Sequence, residues 1–141
     1  KIVLPKGKDE IYFLRLELID REKVVDENLY WLSNKIHSYE KLNELKKVVV
    51  KAAVKKSDED HSAIVISNPT GETAFFIRLK IMNAKDELVL PSFLTDNYFT
   101  LLPGDEKQIG LDLTESNNKS SGDELKVVIE GWNVLPVEIK F

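Results

Sequence analysis

Ala63-Ile64-Val65-Ile66-Ser67-Asn68-Pro69-Thr70-Gly71-Glu72-Thr73-Ala74-Phe75-Phe76-Ile77-Arg78-Leu79-Lys80-Ile81 is the stretch on which the fold class turns. A short run rich in β-branched residues stops at Asn68-Pro69-Thr70-Gly71, where proline fixes φ and glycine permits positive φ. Phe75, Ile77, Leu79 and Ile81 then alternate with Arg78 and Lys80, the two-residue period of a strand with one face inward. The pattern predicts two strands joined as a β-hairpin.

Working outward, the same period recurs on both sides. Tyr12, Leu14, Leu16 and Leu18 alternate with Arg15 and Glu17. A turn at Asp20-Arg21-Glu22-Lys23 leads through Val24-Val25 to Leu29-Tyr30-Trp31-Leu32, an aromatic run that reads as a central strand. Tyr39, Leu42 and Leu45 recur at three-residue steps, which suits one or two helical turns inside a connection. Val48, Val50, Ala52 and Val54 restore the strand period before the polar cluster Ser57-Asp58-Glu59-Asp60. Downstream, Tyr98-Phe99-Thr100-Leu101-Leu102 runs into the tight turn Pro103-Gly104-Asp105. Ile109, Leu111 and Leu113, then Leu125, Val127 and Ile129, then Val137, Ile139 and Phe141 supply further inward faces, with an exposed polar loop from Ser116 to Gly122.

About nine short strands at the spacing of an all-β protein predict an antiparallel β-sandwich, a barrel being the other architecture with this alternation. There is no internal repeat and no linker that splits the chain, so 1–141 reads as a single sandwich domain. Its 141 residues suffice for one hydrophobic core, and 43% hydrophobic with 31% charged residues is an ordinary globular composition.

The chemistry is sparse. No apolar run reaches the roughly 20 residues that cross a bilayer, and residues 1–10 hold no signal-peptide core. A net charge of −4 with interspersed lysines argues against nucleic acid and against a polybasic membrane patch. No cysteine is present, which removes disulfides, thiolate metal sites and a Cys nucleophile but leaves the compartment open, a secreted or periplasmic parent included. No nucleophile elbow, phosphate loop or metalloprotease motif occurs, so neither cofactor nor catalytic residue is assigned. His37 and His61 lie in separate predicted loops without ligand-like spacing, and no metal is assigned to them. Asn118-Lys119-Ser120 matches a glycosylation sequon, which matters only in a eukaryotic secretory context.

Aromatic residues are the remaining candidates, because sugars and neighbouring domains both use exposed rings. Trp31 and Trp132 read first as packing residues, in the core or between domains. Trp132, at a strand end before Asn133, and Tyr98 are the candidate contacts to sugar or to another domain. Tyr98 and Phe99 are adjacent on a strand and point to opposite faces, so one of them is expected outside.

Three stretches carry a family resemblance: Glu27-Asn28-Leu29-Tyr30-Trp31-Leu32-Ser33, Asp96-Asn97-Tyr98-Phe99-Thr100-Leu101-Leu102-Pro103-Gly104-Asp105, and Gly131-Trp132-Asn133. In this order they resemble the immunoglobulin-like domain that ends exo-β-D-glucosaminidases and related β-mannosidase-type enzymes of glycoside hydrolase family two. Leu29 stands where that family often has an aromatic, and Asp105 where it often has glutamate. The resemblance implies an immunoglobulin-like sandwich forming a C-terminal piece of a larger multidomain glycosidase. Its catalytic (β/α)8 barrel would lie in an earlier domain and carry two glutamates of a retaining mechanism, neither of them in this chain. For the chain itself the resemblance implies a non-catalytic accessory role, with the parent's other domains as partners and β-linked glucosamine or mannose glycans as the parent's substrate. An autonomous carbohydrate-binding module is the alternative.

Overall fold

Strand-forming stretches account for most of the chain in a computed structural model that describes residues 11–35, 38–117 and 124–141. His37 and the sequon Asn118-Lys119-Ser120 lie outside the described residues. The chain divides into two compact units, Lys1–Leu45 and Lys46–Phe141.

In the first unit, β1 (Ile11–Asp20) and β2 (Lys23–Ser33) form an antiparallel two-stranded sheet. Arg21 and Glu22 both take positive φ, 46° and 68°, the pattern of a two-residue turn whose twist matches a right-handed hairpin. The expectation of a central strand at Leu29-Tyr30-Trp31-Leu32 is corrected: among the described residues β2 pairs with β1 alone. A two-stranded ribbon has no second layer of its own, so its alternation does not produce burial. Leu18 is 63% exposed and Trp31 41% exposed, which takes Trp31 out of the core. A short 3₁₀ helix, Glu40–Glu44, follows and buries Leu42, as the three-residue spacing predicts.

The second unit is a sandwich of two four-stranded sheets. One holds β3 (Lys51–Lys56), β4 (His61–Ser67), β8 (Glu106–Asp112) and β6 (Phe93–Leu94), in that order. The other holds β10 (Val137–Lys140), β9 (Lys126–Glu130), β5 (Ala74–Met82) and β7 (Phe99–Leu101). All pairings within the two sheets are antiparallel. Ile64 and Ile66 of β4 and Ile109 and Leu111 of β8 face Ile77, Leu79 and Ile81 of β5 and Val127 and Ile129 of β9 in one continuous core. Each such buried aliphatic side chain contributes about 1.5–3 kcal/mol by leaving water.

The hairpin predicted between β4 and β5 is not formed, because the two strands belong to opposite sheets. Residues 68–73 cross the end of the sandwich, and Asn68 makes the corner. Its Nδ2 donates to the carbonyls of Glu72, Leu101 and Leu102 at 2.8, 3.1 and 3.3 Å, and its Oδ1 accepts from the N–H and hydroxyl of Thr70. These bonds fasten the connection to the far sheet and to the Pro103-Gly104 turn, where Gly104 N–H also donates to Asn68 O at 2.9 Å. Asparagine satisfying several carbonyls in a buried corner stabilises a crossing that a tight turn cannot span. The hairpin that does form nearby joins β3 to β4 through the polar cluster 57–60.

Candidate functional site

β5 carries the first part of the site. Its pairing with β7 runs from Ala74↔Leu101 to Ile77↔Phe99 with a register shift between them, so an extra residue is accommodated as a bulge. Phe75 stays buried, and Phe76 is turned outward with φ at 56°. The Phe76 N–H, displaced from the ladder, donates to Thr100 Oγ1 at 3.3 Å.

The loop before β7 brings a second ring alongside. Asn97 uses its side-chain amide as a strand would use its backbone: Leu79 N–H donates to Asn97 Oδ1 at 2.9 Å, and Asn97 Nδ2 donates to Leu79 O at 3.2 Å. Tyr98 N–H also donates to Asn97 Oδ1 at 3.0 Å, and Tyr98 takes a φ of 60°. Asp96, one residue earlier, holds Lys107 at 2.6 Å. The question left between Tyr98 and Phe99 is thereby settled: Phe99 is 8% exposed in the core and Tyr98 50% exposed. The Tyr98 and Phe76 rings lie 5.4 Å apart, and the Arg78 guanidinium carbon sits 5.9 Å from the centre of the Tyr98 ring.

The third ring follows β9. Gly131 leaves no room for a side chain, since a Cβ there would stand 3.0 Å from the Phe75 carbonyl and 3.0 Å from Val134 Cγ2. Trp132 N–H donates to that same carbonyl at 3.0 Å, and its indole projects outward, 51% exposed. Asn133 turns inward to anchor the segment.

Phe76, Tyr98 and Trp132 line one open cleft of about 460 Å³ on the outer face of the β10-β9-β5-β7 sheet, with Leu135 and Pro136 also in its lining. This volume lies within the 300–1,000 Å³ range of ligand pockets. Lys47, Arg78 and Glu130 supply its charge. Glu130 Oε2 lies 2.9 Å from Lys80 Nζ, and its Oε1 3.7 Å from Arg78. The structure therefore brings together the two candidate residues, Trp132 and Tyr98, and adds Phe76, Arg78 and Leu135. Sequence reading did not single out Phe76, because strict alternation treats it as one outward residue among several; the adjacent Phe75-Phe76 pair is the signal that a bulge could expose one ring.

Elsewhere, a cavity of about 250 Å³ at the end of the sandwich is lined by Lys126, Lys140, Glu124 and Asp86, which pair with one another or with Glu138. Asp86 and Glu138, hydrogen-bonded to Lys126, raise its pKa above the usual lysine value. His61 lies against Asp58, with Asp112 Oδ1 3.8 Å from its Nε2. No group of three or more His, Cys, Asp or Glu able to hold a metal ion occurs among the described residues, and no helix among them is long and apolar enough to cross a membrane.

The two stacked antiparallel sheets define an immunoglobulin-like β-sandwich, with the aromatic cleft on the outer face of one sheet. Residues 28–134 match the exo-β-D-glucosaminidase immunoglobulin-fold domain, and the chain belongs to that family. It is 27% identical to an exo-β-D-glucosaminidase of Arthroderma benhamiae over 93% of its own length and 16% of that protein's. Among solved structures it is similar to the exo-β-D-glucosaminidase CsxA studied with a glucosamine-configured castanospermine inhibitor, at 22% identity and a TM-score of 0.79, covering 99% of this chain and 19% of that one. The Amycolatopsis orientalis exo-chitosanase CsxA gives 22% identity and a TM-score of 0.77 over 99% of this chain and 20% of that one. At these identities the structural likeness bears on the fold. The chain thus spans between a sixth and a fifth of the relatives it matches, 16% to 20%.

Proposed function

We propose that this chain is a non-catalytic accessory domain of a β-glycosidase of the exo-β-D-glucosaminidase type, packing against the parent's other domains. The observation that carries the reading is the match of residues 28–134 to the immunoglobulin-fold domain of such enzymes, in a chain that covers only 16% of its curated relative. The relatives are glucosaminidases, so β-linked glucosamine, rather than mannose, is the substrate class proposed for the parent. The distribution of chemistry supports an accessory role: the described carboxylates beside the cleft and at the sandwich end are engaged with lysine and arginine, whereas a retaining glycosidase needs two carboxyl groups facing a glycosidic bond about 5–5.5 Å apart.

The test is hydrolysis of a chromogenic β-D-glucosaminide by the 141-residue chain beside the intact parent polypeptide. The expected result is turnover by the parent and none by the chain. Turnover that copurifies with the chain and vanishes on a carboxylate substitution within it overturns the proposal.

A second reading, an autonomous carbohydrate-binding module, is favoured by one observation: Phe76, Tyr98 and Trp132 share one cleft, as a sugar-stacking platform would require. Calorimetric titration of the chain with glucosamine oligomers decides it. Saturable binding lost in Trp132→Ala supports a module, and no heat at any concentration leaves the packing role.

A further inference from the structure

We infer that the Phe76–Tyr98–Trp132 cleft is the face through which this domain docks, and that it receives an apolar side chain flanked by carboxylates from another domain of the same polypeptide. The inference rests on the accessory-domain reading and names the surface and the chemistry of its occupant.

Phe76 and Tyr98 both take positive φ, a region that bulky side chains rarely occupy. Both residues are aromatic, both face outward, and they touch each other at 5.4 Å. Phe75 and Phe99 fill the inward positions beside them. Two aromatic residues held outward in unfavourable backbone conformations point to a surface organised for recognition.

Composition agrees. The apolar part of the lining is formed mainly by Phe76, Tyr98, Trp132 and Leu135, the last 45% exposed. Charge is confined to Lys47, Arg78 and Glu130. Aromatic residues beside an arginine suit a protein interface, whose anchors are enriched in Trp, Tyr and Arg.

Charge selects the occupant. Two cations and one carboxylate line the cleft, formally +1, on a chain whose net charge is −4. The carboxylate is itself shared by Arg78 and Lys80. A glucosamine chain carries ammonium groups and would meet Lys47 and Arg78 with like charge. A segment bearing Asp or Glu beside its apolar anchor meets them with opposite charge. The relatives' lengths supply the partner: most of each lies outside the part this chain matches, which covers 16% to 20% of them.

The experiment is hydroxyl-radical footprinting of Trp132 and Tyr98 in the intact parent polypeptide and in the 141-residue chain, with Phe93 as an exposed ring on the other sheet, 54% exposed. Side chains at the centre of a docked face lose water contact, so oxidation of Trp132 and Tyr98 should slow about tenfold in the intact polypeptide while Phe93 changes less. Arg78→Glu should restore fast oxidation and Arg78→Lys should not. The isolated chain carrying Arg78→Glu, tested for unchanged unfolding, separates loss of docking from loss of fold. Protection confined to other parts of the domain overturns this inference and leaves the accessory role standing. Equal oxidation of every ring in both forms overturns both. Protection of Trp132 in the isolated chain by glucosamine oligomers assigns the cleft to sugar and overturns the protein occupant.

Discussion

The main-chain N–H of Phe75 donates to Oδ1 of Asn133 at 2.8 Å, across 58 residues of sequence. Asn133 is 1% exposed, and its Nδ2 donates to the carbonyls of Lys46 and Thr73, each at 2.8 Å. One buried amide therefore joins the segment entering the sandwich, the start of β5 and the segment after β9. Its neighbour Trp132 is held outward by the hydrogen bond from its N–H to the Phe75 carbonyl. In Gly131-Trp132-Asn133 the glycine permits close approach, the asparagine locks it, and the tryptophan is what the arrangement displays.

Asn133→Ala should accordingly destabilise the chain by about 2–4 kcal/mol, since one buried and two part-buried backbone groups lose their partner and a buried orphan costs about 1–3 kcal/mol before relaxation. Gly131→Ala should cost about 1–3 kcal/mol by overpacking against a carbonyl that cannot swing away. Denaturant unfolding followed by tryptophan fluorescence measures both. Losses below about 0.5 kcal/mol would show that the segment repacks without these constraints.

Tyr98→Asn should leave stability nearly unchanged. Asparagine tolerates positive φ better than tyrosine, which recovers part of the strain, while the ring's contacts with Phe76 and Arg78 are worth about 0.5–1.5 and 0.5–1 kcal/mol. The two effects offset, and the isolated chain should unfold within about 1 kcal/mol of the original. Thermal unfolding checks this. A loss above about 3 kcal/mol would place Tyr98 among the residues that hold the sandwich together.

The strand count and the inward faces were legible because β4, β5, β8 and β9 each bury alternate aliphatic residues against the opposite sheet. The pairing of β4 and β5 was not legible: Asn68-Pro69-Thr70-Gly71 has the composition of a hairpin turn, and only the hydrogen bonds of Asn68 to Leu101 and Leu102, 33 and 34 residues away, show it to be a crossing between sheets. Burial of β1 and β2 was misjudged for a related reason, since alternation reports an amphipathic strand and not whether a second layer covers it. At the cleft, Trp132 and Tyr98 were visible as aromatics at strand ends. Phe76 needed the bulge, and a bulge is set by pairing rather than by local pattern.

The two turn glycines separate conformational need from mere turn composition. Gly104 sits at φ 84°, and a methyl group added there would meet nothing within 4 Å, so Gly104→Ala costs only backbone strain, about 1–2 kcal/mol. Gly71 has equally open space and no positive φ, contrary to the expectation for its turn. Gly71→Ala should be neutral or stabilise by about 0.4–1 kcal/mol through a less flexible unfolded chain. Chemical denaturation of the pair should give shifts of opposite sign or differ by more than about 1 kcal/mol, and equal losses would contradict the assignment.

His61 carries the last prediction. Its Nδ1 lies 2.9 Å and 3.1 Å from the two Asp58 oxygens, and Asp112 and Asp60 add negative potential. The hydrogen bond to Asp58, then its charge, raise the imidazole above its ordinary 6.5. Asp58 is lowered below 3.8 first by the Asp60 N–H, then by the His61 N–H and ring. For a raised histidine, the stabilising contribution is complete below the unfolded value near 6.5 and is lost as pH climbs through the higher folded value. For the lowered aspartate, it is present above 3.8 and lost as pH falls through the lower folded value. The charged pair thus supports the β3–β4 turn from about 3.8 to 6.5 and fades on either side. Both groups are exposed, so salt screens the effect. Proton NMR should place the His61 midpoint above 6.5, and Asp58→Asn should lower it. A midpoint that Asp58→Asn leaves unchanged would mean that the pair does not persist in solution.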